Sequence, residues 1–377
     1  MDKAFWQEKL KHLPTRPGVY LFRDGDGNII YVGKAESLKN RVSSYFQDSK
    51  NMAPKTLAMR EKARDLEYIL VDSPAEALLL ECNLIKLHRP HYNILLKDDK
   101  TYPYLKLTLN EEYPRLLVTR YYKNDGSKYF GPYTNVTAMN EAVDVIRRVF
   151  PLRNCGIKPG RTKGRACLTY DLGNCSAPCV GKISPEDYGK LVKGVEDFLN
   201  GDGDDVKKEL TRTMEQCAEK LDFETAALYR DKINAVNAVL AKQKISIANS
   251  HDDRDLVAVH RDGDDAVITA FFVRQGKLLG REHRYVTRCG GSNLGEIYTA
   301  FLTDFYGGDR VIPPEICLGE LPEDSEALSQ VLQERRGGRV KFFVPQRGEK
   351  RRLLELAEKN GALLLDAERR NKKKDDH

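Results

Sequence analysis

The sequence predicts a multidomain α/β protein, because three stretches carry three different patterns of apolar residues. Residues 1–98 begin with two short apolar strands around an Asp- and Gly-rich turn, and capped helices follow them. Residues 201–245 contain two apolar stripes with helical spacing, which predicts a helical hairpin. Residues 250–366 show three strands and then alternating helices and strands, as in an α/β domain. A chain of 377 residues is long enough for several such domains.

The composition is ordinary for a globular protein, with 41% hydrophobic and 31% charged residues. No apolar run approaches the roughly 20 residues that span a bilayer. The N-terminal residues also lack the apolar core of a secretory signal. We therefore expect a cytosolic protein.

Positive charge is concentrated in the first part of the chain. Residues 1–200 carry 32 Lys and Arg against 24 Asp and Glu, whereas the remaining 177 residues carry 30 against 32. The stretch 147–170 contains seven basic residues and no acidic one. Such an excess is typical of proteins that bind a polyanion, although a solvated basic face explains this stretch equally well.

The first strands are predicted to form a β-hairpin at residues 19–22 and 29–32. Asp, Gly and Asn residues between them tolerate the positive φ of a tight turn. Tyr20 and Tyr31 lie on opposite arms of this hairpin, where cross-strand neighbours approach one another. The hairpin should therefore bring two phenols together.

A helix is predicted to follow the hairpin. Gly33 and Lys34 end the second strand, and Ser37 can cap a helix. Arg41 and Tyr45 are four residues apart and therefore share one face of that helix. Phenols, an ammonium group and a guanidinium group should converge at this junction of strand and helix.

A second helix should supply a carboxylate. Ser73 and Glu76 form a capping box with Pro at the first helical position, which predicts a helix over residues 75–87. Glu81 lies close to the apolar face of this helix. A buried carboxylate without a partner costs several kcal/mol or becomes protonated. Glu81 is therefore either a helix-edge residue that reaches solvent or a metal ligand, and we favour the ligand beside the Tyr, Lys and Arg set.

Two tripeptides in this region, GVY at 18–20 and YVG at 31–33, resemble the signature of the GIY-YIG nucleases. Asn93, which follows Arg-Pro-His-Tyr, completes the order of motifs in that family. The resemblance implies a DNA endonuclease in which Glu81 binds Mg²⁺ or Mn²⁺. The catalytic residues that it implies are Tyr20, Tyr31, Lys34, Arg41, Tyr45, Glu81 and Asn93.

Phosphodiester hydrolysis suggests a role for each of these residues. Tyr31, with its pKa lowered by Lys34 and the metal, would take the proton of the attacking water, and Tyr20 would orient it. Arg41 would stabilise the charge of the phosphorane. The remaining Tyr and Asn would position the phosphate and neighbouring side chains.

Residues 99–200 combine a small predicted sheet with a basic, cysteine-rich segment. Strands are predicted at 104–109, 115–121 and 128–130, followed by a helix at 136–149. Aromatic residues alternate with cations in these strands. They can stack on bases and contact phosphates, or they can form the core of a small sheet.

Four cysteines in this segment have the spacing C-x11-C-x7-C-x3-C. In a reducing compartment such a cluster indicates a metal site rather than disulfides. All-thiolate ligation suits Zn²⁺ or an iron–sulfur cluster, and the irregular spacing favours [4Fe–4S]. These cysteines are Cys155, Cys167, Cys175 and Cys179.

The predicted hairpin at 204–243 leaves an apolar surface that needs a partner. Its segment LDFETAALYRDKI resembles the UVR motif, and CLTYDLGNCSAPCVGKIS resembles the cysteine segment of the UvrC (excinuclease C) family. The resemblance to that family covers residues 1–243 and also favours [4Fe–4S]. It implies a subunit of nucleotide excision repair that makes the 3′ incision in damaged double-stranded DNA and docks on excinuclease B. The docking residues that it implies are Phe223, Ala226, Ala227 and Arg230.

Residues 250–366 resemble a ribonuclease H-like layout, which in active nucleases carries carboxylates that hold two Mg²⁺ ions. The first strand, around 256–260, has no central acid. We therefore expect a domain that is not catalytic, followed by a charged tail at 367–377. In the family, an active endonuclease domain and helix-hairpin-helix repeats follow, so we expect a truncated or short form.

Two alternatives remain open at this point. The chain could be a non-catalytic adaptor that binds excinuclease B and DNA. It could also be a stand-alone GIY-YIG endonuclease, although the UVR-like hairpin argues against that.

Overall fold

The computed structural model describes residues 3–47, 52–97, 101–157, 164–200, 203–242 and 252–375. The chain divides into two compact units, which are described separately. The first comprises residues 1–100, 255–270 and 282–377, and the second comprises residues 101–254 and 271–281.

The described residues form α-helices, β-strands and one short 3₁₀ turn at Pro178–Val180. The helices are α1 (Lys3–Lys11), α2 (Leu38–Ser44), α3 (Pro54–Lys62), α4 (Pro74–His88), α5 (Val136–Val149), α6 (Leu168–Asp171), α7 (Pro185–Asn200), α8 (Gly203–Glu219), α9 (Phe223–Lys242), α10 (Leu294–Tyr306), α11 (Ser325–Arg336) and α12 (Glu349–Asp375). The strands are β1 (Gly18–Arg23), β2 (Ile29–Ala35), β3 (Asp65–Leu70), β4 (Leu95–Lys97), β5 (Tyr104–Leu107), β6 (Leu116–Thr119), β7 (Lys128–Phe130), β8 (Arg254–Asp262), β9 (Asp265–Arg274), β10 (Lys277–Thr287), β11 (Glu315–Leu318) and β12 (Lys341–Phe343).

The N-terminal part of the first unit is a three-stranded antiparallel sheet in the order β2-β1-β3. The predicted hairpin is confirmed, and its turn is closed by Asp24, whose Oδ1 accepts backbone N–H bonds from Asp26 at 3.0 Å and Asn28 at 2.9 Å. Strand β3 is not predicted from the sequence, because most of its side chains are exposed and show no alternation.

Alternation along β1 sends its side chains into two core clusters. Tyr20 and Phe22 pack with residues of α1, α2 and α3. Val19 and Leu21 pack instead with Ala77 of α4. Side chains also alternate along the neighbouring edge strand β2, so its residues reach both faces of the sheet.

The other part of the first unit is built on a six-stranded sheet in the order β12-β11-β8-β9-β10-β4. The predicted three strands followed by alternating helices and strands are confirmed. The edge strand β4 comes from the N-terminal region and pairs antiparallel with β10, with Leu96 opposite Val286. A strand of three residues carries too little pattern to be predicted from sequence.

Buried acids in this part of the fold are paired. Glu282 lies 3.2 Å from Nε of Arg284 and 3.1 Å from a guanidinium nitrogen of Arg310, and all three side chains are buried. Asp255, near the start of β8, accepts a hydrogen bond from the hydroxyl of Tyr306 at 2.5 Å. The sequence predicts a first strand around 256–260 without a central acid. The strand of the structure begins earlier and includes Asp255, whose carboxylate is hydrogen-bonded to Tyr306.

The second unit contains a small antiparallel sheet in the order β6-β5-β7. Tyr104, Tyr113 and Phe130 are buried, which decides for a sheet core at these positions, whereas Tyr121 is 65% exposed. The predicted helix α5 is confirmed, and α7, which sequence analysis missed, packs in the same core.

One basic residue of the 147–170 stretch serves the fold. Arg153 is buried, and its guanidinium donates to the carbonyl oxygens of Tyr113 at 2.7 Å and Ile157 at 2.8 Å and pairs with Glu111. Its charge is therefore used inside the second unit. Residues 158–163, with three of the basic residues, lie outside the described residues.

Helices α8 and α9 form the predicted hairpin. Val206, Leu210 and Val236 are buried in the core of the second unit. At the turn, Leu221 and Phe223 are 73% and 67% exposed. The hairpin thus contributes to its own unit at one end and exposes apolar side chains at the other.

The charged segment at 367–377 differs from the expected tail. Helix α12 runs from Glu349 to Asp375 and includes most of it. Ala, Glu, Arg and Lys favour helix, so the helix continues once it has been started by the preceding residues. Among the described residues, no helix is both long enough and apolar enough to cross a membrane.

We expect Glu282→Gln to lower the free energy of unfolding by about 3 kcal/mol, because it removes the charge of a buried carboxylate that pairs with two buried guanidinium groups. Denaturant unfolding followed by circular dichroism measures this. As a control, Glu355→Gln breaks the half-exposed pair with Arg351 and should cost less than about 0.5 kcal/mol. Equal effects of the two variants would contradict a structural role for the buried network.

Candidate nuclease site

Three tyrosines in the first unit form a connected cluster. Oη of Tyr20 lies 2.8 Å from Oη of Tyr45, and Tyr45 donates to Oη of Tyr31 at 3.4 Å. The guanidinium of Arg41 lies 5.6 Å from the centre of the Tyr45 ring. Interaction with Tyr20 raises the pKa of Arg41, so this cation stays charged. The phenols and the guanidinium therefore converge, as the sequence indicates.

Gly33 makes room for this cluster. It lies opposite Tyr20 in the pairing of β1 with β2. A Cβ at position 33 would overlap the hydroxyl and ring of Tyr20. The ring of Tyr20 thus fills the space of the missing side chain, and close packing requires this glycine.

Glu81 and Lys34 form a two-point contact across β2 and α4. Oε1 of Glu81 accepts the backbone N–H of Lys34 at 3.1 Å, and Oε2 lies 3.2 Å from Nζ. Burial raises the pKa of Glu81, and the ammonium group opposes that rise. Burial would lower the pKa of Lys34, but Glu81 and Asp324 reverse this and raise it.

The start of α4 fixes where Glu81 lies. Ser73 accepts the backbone N–H of Glu76 at 3.2 Å, and Pro74 is the first helical residue, which confirms the N-cap and the helix start. The other half of the predicted capping box differs, because Glu76 accepts the backbone N–H of Asp72 at 2.9 Å. At α2 the cap differs from expectation, because Ser37 holds the N-cap position but makes no capping hydrogen bond with its side chain.

The pKa of Tyr31 differs from expectation. Lys34 and the metal together are expected to lower it, but among the protein's own groups burial raises it, and Tyr45, Tyr20 and Glu81 raise it further. The reason is that the ammonium of Lys34 is held by carboxylates while the hydroxyl of Tyr31 faces other phenols. The predicted lowering by Lys34 is therefore wrong for this arrangement.

Asn93 holds the backbone of β2. Its amide nitrogen donates to the carbonyl of Val32 at 2.8 Å, and its amide oxygen accepts the N–H of Val32 at 2.9 Å. The amide group of this buried side chain thus uses its donor and its acceptor on Val32, the residue between Tyr31 and Gly33. Asn93 positions the strand that carries the site.

The site lines a cavity of about 640 Å³ that also contains residues missed by sequence analysis. Among them are Glu296, Asp304 and Glu323, all from the C-terminal part of the first unit. Asp304 pairs with Lys86 of α4 at 2.6 Å. No local sequence signal marks these acids, because they reach the site only through tertiary contacts.

The four cysteines do not assemble as predicted. Among the described residues, no group of three or more His, Cys, Asp or Glu could hold a metal ion. Cys175 is buried and Cys167 is exposed, so their thiols have different surroundings. Burial raises the pKa of Cys175, and the three other cysteines interact with it electrostatically. The described residues therefore do not support the iron–sulfur or zinc site expected from the sequence.

Four family models match successive parts of the chain. They are the UvrC-like GIY-YIG domain (residues 16–94), the UvrC/Cho excinuclease middle domain (102–198), the UvrB/uvrC motif (204–239) and the UvrC ribonuclease H-like domain (253–368). The chain belongs to the UvrC family. The ribonuclease H-like prediction for residues 250–366 is thereby confirmed as a fold.

Proteins named UvrABC system protein C are similar to this UvrC-family chain over almost its whole length. Those of Clostridium acetobutylicum and Acetivibrio thermocellus are each 45% identical over 96% of the chain. The chain spans 58% of the length of each of these relatives.

Solved structures of the GIY-YIG N-terminal endonuclease domain of UvrC from Thermotoga maritima are also similar. The magnesium-bound form is 41% identical and covers 25% of this chain and 99% of its own, with a TM-score of 0.22. A point mutant of that domain bound to its catalytic divalent cation is 40% identical, with the same TM-score of 0.22.

We expect Gly33→Ala to lower the free energy of unfolding by about 1–3 kcal/mol, because the added methyl group must displace the Tyr20 ring. Denaturant unfolding measures this. The control is Gly25→Ala in the same hairpin, whose Cβ would have Arg64 Cγ as its nearest neighbour at an ordinary 3.8 Å. Equal stability of both variants would show that Tyr20 moves aside without cost.

Proposed function

We propose that the chain is a metal-dependent DNA endonuclease of nucleotide excision repair that makes the 3′-side incision near a lesion together with excinuclease B in the cytoplasm. The observation that carries the proposal is Glu81, a largely buried carboxylate set beside Lys34, Arg41 and three connected phenols in one cavity. The order of the four matched family regions supports it and favours neither the adaptor nor the stand-alone nuclease.

Glu81 fits a hard divalent cation such as Mg²⁺ or Mn²⁺. Its carboxylate supplies oxygen ligands and lines a cavity large enough for the waters that such a cation retains. A cation bound there would neutralise phosphate charge and lower the pKa of a bound water. We assign no cofactor to the four cysteines.

The chain's own residues would prepare the phosphate and the water. Arg41, kept charged by the phenols, would stabilise negative charge on the phosphorane. Tyr31 would orient the attacking water through its hydroxyl, which the hydrogen bonds among Tyr31, Tyr45 and Tyr20 hold in position. Asn93 would keep β2, and so Tyr31 and Lys34, in register.

The hairpin at 204–243 is proposed to dock on excinuclease B. Phe223 and Arg230 are exposed, and Ala226 and Ala227 are half-buried beside them. A small-residue surface next to an exposed aromatic side chain suits packing against a second helical hairpin. Most of the apolar side chains at the other end of the hairpin are already used in the core of the second unit.

Glu81→Gln should abolish nicking of damaged duplex in the presence of Mg²⁺ and excinuclease B while the protein stays folded, because it removes a charge and little volume. Gel analysis of end-labelled DNA measures nicking. The control is Glu61→Gln, an exposed acid of the same region, which should retain full activity. Retained nicking by Glu81→Gln would rule out the metal-ligand role.

Phe223→Ala should weaken the complex with excinuclease B by about 1–3 kcal/mol, the range of an aromatic residue central to an interface. Isothermal calorimetry measures the affinity. Tyr121→Ala, which removes an equally exposed aromatic side chain outside the hairpin, is the matched control. An unchanged affinity for Phe223→Ala would place the docking surface elsewhere.

A further inference from the structure

Lys34 contacts two carboxylates, and only one belongs to the GIY-YIG region. Its Nζ lies 3.2 Å from Oε2 of Glu81 and 2.9 Å from Oδ2 of Asp324. Asp324 directly precedes α11 in the ribonuclease H-like domain, which is part of the same compact unit. The ammonium group is largely buried between the two acids.

A second acid follows the same pattern. Glu323 lines the cavity beside Lys34 and Arg41. Burial raises the pKa of Glu323 and neighbouring Glu296 adds to the rise, while Lys34 and Arg41 oppose it. Glu323 thus adds a second negative charge to the cavity lined by Lys34 and Arg41, next to the acid that contacts Lys34.

The carboxylate of Asp324 is not needed by its own helix. Asp324 holds the N-cap position of α11, where an Asp side chain ordinarily accepts a backbone N–H, but it makes no such bond here. By contrast, Asn293 caps α10 with both bonds of a capping box. The charge of Asp324 is directed to Lys34 instead.

A phosphodiester group bound in the cavity beside Glu81 would have Lys34 and Arg41 as its positively charged neighbours. A carboxylate 2.9 Å from Nζ of Lys34 occupies the place where a phosphate oxygen would form its ion pair. The same acids repel an approaching polyanion until they are displaced.

We propose that Asp324, with Glu323 next to it in the cavity lining, forms an inhibitory contact that substitutes for the DNA phosphate at Lys34, so that a phosphodiester group must displace Asp324 before cleavage. The proposal rests on the proposed nuclease function, because it identifies this cavity as the place where DNA phosphate binds. The ribonuclease H-like domain then restrains the nuclease site through its acids.

Asp324→Asn tests the contact with little risk to the fold. Asn is nearly the same size and is equally suited to an N-cap, and no side-chain cap bond is lost. In the full chain with EDTA, we expect about 3- to 10-fold tighter binding of a fluorescein-labelled 30-base-pair duplex, measured by anisotropy at low salt. The slope of log K against log salt should steepen by about 0.9, the effect of one additional phosphate contact.

Glu323→Gln is the second variant and should also tighten binding, and the double variant should exceed either single change. The control, Glu326→Gln, removes an exposed acid of α11 outside the cavity lining. It should leave both the DNA affinity and the salt slope unchanged. Unchanged or weaker DNA binding by Asp324→Asn would overturn the proposal, since it would assign Asp324 to the positioning of Lys34.

Nicking in Mg²⁺ separates this proposal from the nuclease proposal. If the inhibitory contact exists, Asp324→Asn should nick a damaged duplex in the presence of excinuclease B about 3- to 10-fold faster than the unmodified chain, in parallel with its binding. Tighter binding with no nicking by any variant would retain the phosphate-competing contact and reject the nuclease function. A slower nicking rate for Asp324→Asn with unchanged binding would reject the inhibitory contact.

Discussion

The two-point contact between Glu81 and Lys34 connects edge strand β2 to helix α4, and the rest of the site is arranged around it. Because side chains alternate along a strand, Tyr31 lies on one face of β2 and Lys34 on the other. One strand therefore carries both the phenol of Tyr31 and the residue that binds Glu81. Asn93 forms two hydrogen bonds with the backbone of Val32, which lies between Tyr31 and Lys34, and so holds this part of the strand in place.

The cations of this site are balanced by acids from a distant part of the chain. Helix α4 carries Glu81 and also Lys86, which pairs with Asp304, and Lys34 pairs with Asp324. Each ion pair is partly or largely removed from water. The ribonuclease H-like domain thus contributes charge to the nuclease region, although its own buried acids are used by Arg and Tyr partners.

The second unit shows why a basic or apolar stretch needs structural context. Arg153 belongs to a run of basic residues, but its guanidinium satisfies buried carbonyl groups. Val206 and Phe223 are both apolar residues of the helical hairpin, yet the first is buried and the second is exposed. Sequence spacing alone does not distinguish Arg153 from the other basic residues of its run, or buried Val206 from exposed Phe223.

The sequence by itself determined the local elements of this protein: the hairpin with its Asp-Gly turn, the Ser-Pro start of α4, the helical hairpin and the ribonuclease H-like alternation. These depend on turn chemistry, capping and periodicity, which act between residues close in the chain. It also identified Tyr20, Tyr31, Lys34, Arg41, Tyr45, Glu81 and Asn93 as one candidate site. Tertiary structure alone decided that Asp324 contacts Lys34, that β4 joins a distant sheet and that burial raises the pKa of Tyr31. Those outcomes depend on which groups come into contact across long sequence separations and on how much water is excluded at these contacts. The local spacing of residues determines neither of them.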